Sequence, residues 1–142
     1  MKLPLKIIAE NENQTKDLAK EFSKVLNQGD VISLIGDLGA GKTFFVKSVL
    51  AEFGELNVSS PTFAIVNVYE KNIRINHFDF YRIKKIDELY DIGFSEYIND
   101  EESIIFIEWA DMFEEILPNR RYEVTIKSID ISKREFTIKK LG

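Results

Sequence analysis

Cysteine is absent from the 142 residues, which excludes disulfides and thiolate metal sites. Histidine occurs once, at His77, so a histidine-rich metal centre is excluded as well. No apolar run approaches the length of a membrane span. The opening Met1-Lys2-Leu3-Pro4-Leu5-Lys6-Ile7-Ile8 is basic, but its apolar stretch is short and broken by a charge, unlike a signal peptide. A cytoplasmic location is the default expectation from these absences. Excess positive charge is also missing. With 24 acidic and 19 basic residues the net charge is −5, and bulk electrostatics give no reason for strong binding to a nucleic-acid backbone. What is present is an ordinary globular composition, 44% hydrophobic and 30% charged, without repeats or linkers. It reads as one domain over residues 1–142.

Against that background one segment names a ligand class. Gly36-Asp37-Leu38-Gly39-Ala40-Gly41-Lys42-Thr43 is a complete G-x-x-x-x-G-K-T loop. The strand Val31–Ile35 precedes it, and a helix from about Lys42 to Phe53 follows. Asp37, Leu38, Gly39, Ala40 and Gly41 place backbone N–H groups around phosphate oxygens. The helix N-terminus adds partial positive charge. Lys42 is placed to reach the β- and γ-phosphates, and the Thr43 hydroxyl to hold Mg²⁺.

The remaining pattern alternates strands and helices. Residues 3–9 read as a first strand. A helix follows, capped from within Asn13 to Thr15, with Leu18, Phe22, Val25 and Leu26 on its apolar face and Gly29 at its stop. After the phosphate-loop helix, 63–69 and 73–78 read as strands joined too tightly for a parallel crossover. They form an antiparallel hairpin, so the sheet is mixed. Asp87 caps a further helix that Gly93 weakens or bends. Ser103–Ile107 is continuously apolar, as in a central strand covered on both faces. A short helix ends at Pro118, and 122–129 with 135–140 make a last hairpin.

Hydrolysis or transfer of a phosphoryl group needs an acid beside the phosphate loop, and such groups sit at the carboxyl ends of strands. Glu108, after Ile104–Ile107, and Asp79, after Ile75–Phe78, meet that condition. The plain alternatives are a solvated strand-end residue for Glu108 and a turn cap before Tyr81 for Asp79. Thr62 lies in the connection where nucleotide switches carry a hydroxyl, or it makes a local turn hydrogen bond. His77 reads as a packed or hydrogen-bonded strand residue, and Trp109 as packing against the sheet. There is no N-K-x-D and no D-x-x-G, which counts against a GTPase.

The ordered set Gly36–Thr43, Ser60-Pro61-Thr62-Phe63, His77-Phe78-Asp79-Phe80-Tyr81-Arg82, Glu88-Leu89 with Gly93, Ile107-Glu108-Trp109 and Leu117-Pro118 resembles the TsaE (YjeE) family. These are small bacterial ATPases needed for threonylcarbamoyladenosine modification of tRNA. The resemblance covers about residues 10–118. It implies an α/β, three-layer, P-loop NTPase-like domain with a mixed, largely parallel central sheet and the hairpin after the phosphate-loop helix. It implies ATP/ADP and Mg²⁺ as cofactors, weak hydrolysis by the isolated chain, and the TsaB and TsaD proteins as partners, with tRNA reached only through that complex. By position it implies Lys42 as the phosphate-binding lysine with a catalytic role, Thr43 at Mg²⁺, and Glu108 as a Mg²⁺ ligand or catalytic acid. Asp79 becomes the catalytic acid, Thr62 a switch residue, and Glu12 or Thr15 a neighbour of the adenine. A small-molecule kinase and a non-catalytic nucleotide-dependent scaffold remain as alternatives.

Overall fold

The computed structural model describes residues 1–59 and 65–142. Its elements alternate as the apolar pattern predicts: β1 Leu5–Ala9, α1 Glu12–Ser23, β2 Val31–Ile35, α2 Lys42–Glu52, β3 Val66–Tyr69 and β4 Arg74–Asp79. Then come α3 Asp87–Asp91, α4 Phe94–Ile98, β5 Ser103–Glu108, a 3-10 helix Ala110–Ile116, β6 Arg121–Ser128 and β7 Arg134–Leu141. The seven described strands form one sheet in the order β1-β7-β6-β2-β5-β4-β3.

The sheet is mixed, but not largely parallel. β2 runs parallel to β5 and β6, and β4 parallel to β5. The pairs β1–β7, β6–β7 and β3–β4 are antiparallel. Two hairpins and the N-terminal strand flank a parallel centre, so the two kinds of pairing are equal in number.

β2 and β5 sit at that centre because their runs VISLI and SIIFIE have apolar side chains for both faces. Ile104 and Phe106 point to one face and join Phe22 of α1 and Phe45, Val46, Val49 and Leu50 of α2. Ile105 and Ile107 point to the other and join Phe78, Leu89 and Phe94. Helices therefore cover both faces, giving three layers. Edge-on contacts lock each core: Phe22 meets Tyr122 at 5.5 Å, and Phe78 meets Phe94 at 5.2 Å.

Three expected helix ends differ. α1 is capped by Asn11, whose Oδ1 accepts the Gln14 N–H at 2.9 Å, and not from 13–15. It stops at Ser23 and not at Gly29. There Val25 N–H turns back to the Phe22 carbonyl and Leu26 N–H to the Ser23 carbonyl, tighter turns that still carry Leu26 into the core. Asp87 opens α3 without capping it. Ile86 stands at the cap position, with no side-chain capping bond, and the Glu88 carboxylate reaches back to accept the Lys84 and Lys85 N–H groups at 2.7 and 3.0 Å. Gly93 does interrupt the helix, in the left-handed conformation between α3 and α4. Thr62 and the start of the predicted 63–69 strand lie outside the described residues.

Candidate nucleotide site at the carboxyl edge of the sheet

The parallel strands β2, β4 and β5 all run towards the loop 36–43, so their carboxyl ends deliver side chains to it. Register places Asp79 opposite Glu108, and Glu108 opposite Leu34. This is the edge where ligands bind in open α/β sheets. The loop turns into α2 through Gly41 at φ +103°, a conformation that glycine adopts without cost. Gly36 is glycine for a different reason. A Cβ there would lie 2.6 Å from the Ile126 carbonyl of β6. Close packing against the neighbouring strand, and not only phosphate contact, requires the first glycine of the motif.

Lys42 is buried, and its Nζ donates to the Gly36 carbonyl and, at 2.9 Å, to that of Asp37. The ammonium also lies 4.0 Å from the centroid of the Trp109 ring, a cation–π contact. Burial holds Lys42 below the usual lysine range, opposed by the carboxylates of Glu108, Asp111, Asp79 and Asp37. Trp109 is the non-glycine residue with positive φ among those described, at +59°, and Tyr81 packs on it with ring centroids 4.9 Å apart. Sequence reasoning had Trp109 packing on the sheet. It does border that core, but its contact with Lys42 was missed. Adjacency to Glu108 was the available signal.

Glu108 is not a solvated strand-end residue. It is the last residue of β5, with 2% of its surface exposed. Oε1 accepts the Thr43 hydroxyl at 2.8 Å, and Oε2 lies 2.5 Å from His77 Nε2. Three elements thus meet in one hydrogen-bonded chain: α2 through Thr43, β5 through Glu108 and β4 through His77. Thr43 and Glu108 present hard oxygen donors side by side, a donor set that suits Mg²⁺. Among the described residues no three His, Cys, Asp or Glu side chains are grouped to hold a metal by themselves. A cation here would draw its remaining ligands from phosphate and water, as Mg²⁺ ordinarily does.

Asp79 ends β4, and its Oδ1 accepts the Tyr81 N–H at 2.9 Å. It therefore makes the turn contact that its plain alternative required while facing the same centre. Burial pushes its carboxyl above the ordinary aspartate value, and nearby Glu108 adds to the push against the opposing Tyr81 N–H, His77 and Lys42. A raised carboxyl beside a carboxylate and a buried lysine is a common feature of functional sites.

On the other side of Gly41 a cavity of about 510 Å³ opens beside the loop. Glu12 and Thr15 both line it, with Phe44 of α2 and Arg134 of β7. The two residues left open for the adenine thus border the same space.

A family model, "Threonylcarbamoyl adenosine biosynthesis protein TsaE", matches residues 9–136. The chain belongs to the TsaE family. The TsaE protein of Rickettsia typhi is 41% identical over 133 residues, covering 92% of this chain and 91% of its own. That of Bacillus subtilis is 38% identical over 134 residues, covering 93% of this chain and 83% of its own. Both carry the name tRNA threonylcarbamoyladenosine biosynthesis protein. The crystal structure of Bacillus subtilis YdiB superposes with a TM-score of 0.78 at 33% identity, over 97% of this chain and 86% of that one. The TsaE match thus spans the phosphate loop, Asp79, Glu108 and most of the terminal hairpin.

Proposed function

We propose that this chain is a single-domain, cytoplasmic, Mg²⁺-dependent ATPase of the tRNA threonylcarbamoyladenosine machinery, acting with TsaB and TsaD. The observation that carries the reading is the convergence of Lys42 and Thr43 with Glu108 and Asp79 at one carboxyl edge of the sheet. Family membership supports the pathway.

Lys42 exchanges the Gly36 and Asp37 carbonyls for phosphate oxygens, while the loop N–H groups hold the rest of the phosphate chain. Thr43 and Glu108 hold Mg²⁺. When bound, that ion neutralises charge on the β- and γ-phosphates. Asp79, opposite Glu108 in register, orients the attacking water. Water adds to the γ-phosphorus as the bond to the β–γ bridging oxygen breaks, releasing ADP and phosphate. By the family resemblance Thr62 serves as a switch residue. The base enters the cavity bordered by Glu12 and Thr15.

The test is ATP turnover with TsaB and TsaD present. Lys42→Ala and Asp79→Asn are expected to abolish it, and wild-type rates in either would remove that residue from the mechanism. ADP release that depends on a small-molecule acceptor would indicate a kinase instead. Partner binding that needs Lys42 without any turnover would indicate a scaffold.

A further inference from the structure

His77 occupies a position that packing alone would give to an apolar residue. It lies in β4 between Asn76 and Phe78, its register partners are Asn67 and Phe106, and its side chain is fully buried. A carboxylate oxygen only accepts, so the ring nitrogen that faces Glu108 Oε2 carries the proton. Nδ1 is buried with no hydrogen-bond partner among the described residues. Burying an unpaired polar atom is costly. Among the described residues the ring's polar contact is the bond from Nε2–H to Glu108.

That bond controls geometry. A carboxylate rotates about its last torsion with little resistance. Held at Oε2 by an imidazole that the sheet itself immobilises, Glu108 presents Oε1 to Thr43 and no other direction. We propose that His77 is a positioning residue for the cation site: it fixes the rotation of Glu108 so that Oε1 and the Thr43 hydroxyl form one preset pair of oxygen ligands. This rests on the Mg²⁺–nucleotide reading above and adds to it a residue that touches neither phosphate nor metal. Partners of this kind, one hydrogen bond behind a ligand, change metal affinity by about 10- to 100-fold when removed.

The experiment is titration of a fluorescent ADP analogue into the purified chain, with EDTA and across a range of Mg²⁺. His77→Ala is expected to raise the Mg²⁺ concentration for half-maximal enhancement by about 10- to 100-fold, while affinity in EDTA stays at the wild-type value. His77→Gln, whose amide N–H₂ stands where Nε2–H stood, is expected to restore the Mg²⁺ requirement. A purely structural histidine would weaken binding equally with and without Mg²⁺ and would not be rescued by glutamine. Should His77→Ala not fold, His77→Gln and ¹⁵N spectra of the wild-type imidazole carry the test, with Nε2 protonated. Wild-type Mg²⁺ dependence in a folded His77→Ala, failure of His77→Gln to match wild type, or an Nε2 without a proton overturns the proposal alone. Absence of any Mg²⁺ effect in the wild type overturns the underlying reading together with it.

Discussion

Replacing Glu108 separates its charge from its hydrogen bonds. In Glu108→Gln the amide oxygen takes the His77 Nε2–H and the N–H₂ turns to Thr43, whose hydroxyl accepts as readily as it donates. Both contacts seen at 2.5 and 2.8 Å survive in neutral form, at roughly half their charge-assisted strength. Loss of the charge also relieves the push on Asp79. The net change in stability of the apoprotein is therefore under about 1 kcal/mol. Glu108→Ala differs. It strands a buried Nε2–H, at about 1–3 kcal/mol, and deletes a buried methylene worth about 0.8 kcal/mol. The sum, about 2–4 kcal/mol, lowers the urea midpoint by about 0.7 to 4 M for a slope of about 1–3 kcal/mol/M. Both variants lose the Mg²⁺-dependent part of ADP binding, because neither presents an anionic oxygen next to Thr43. Urea unfolding followed by Trp109 fluorescence, with nucleotide titration in EDTA and in Mg²⁺, reads both effects. If glutamine destabilises the chain as much as alanine, the charge is structural. If glutamine keeps the wild-type Mg²⁺ requirement, Glu108 does not face the cation.

Other perturbations have defined signs. Asp79 binds its proton more tightly folded than unfolded, chiefly through burial, so its contribution to stability is present below the ordinary aspartate value of about 3.9 and is lost as pH rises through the higher folded value. Asp79→Asn keeps an acceptor for the Tyr81 N–H and removes that loss; urea unfolding at pH 4 and pH 7 should show a gain confined to the higher pH, alongside lost turnover. Gly36→Ala drives a Cβ into the Ile126 carbonyl and is expected to cost about 1–3 kcal/mol in unfolding experiments even without nucleotide. Trp109 is the single tryptophan of the chain, and ADP should change its emission as the Lys42 ammonium leaves its ring; Lys42→Ala should abolish that response.

The amino-acid sequence by itself determined what depends on neighbours along the chain. The phosphate loop was legible because its glycines, its Lys42-Thr43 pair and the flanking strand and helix fall within a short span. The central strands were legible because continuous apolarity admits only a place covered on both faces, and the pairing of 73–78 with the strand before it because their connection is too short for a crossover. Helix ends were read less well, since Asn11 caps α1 in competition with equally suitable neighbours, and α3 begins after Ile86 with no capping side chain. Tertiary structure alone decided what depends on pairing distant segments. Thr43 and Glu108 meet across 65 positions, and His77 and Glu108 across 31. Parallel register, not local propensity, sets Asp79 opposite Glu108. The burial of Glu108, the contact of Lys42 with Trp109 and the second reason for Gly36 all arise from strands that adjoin only once the sheet is built. Loop chemistry is written locally, whereas the ligands and supports that make it a site come from side chains that only the fold brings together.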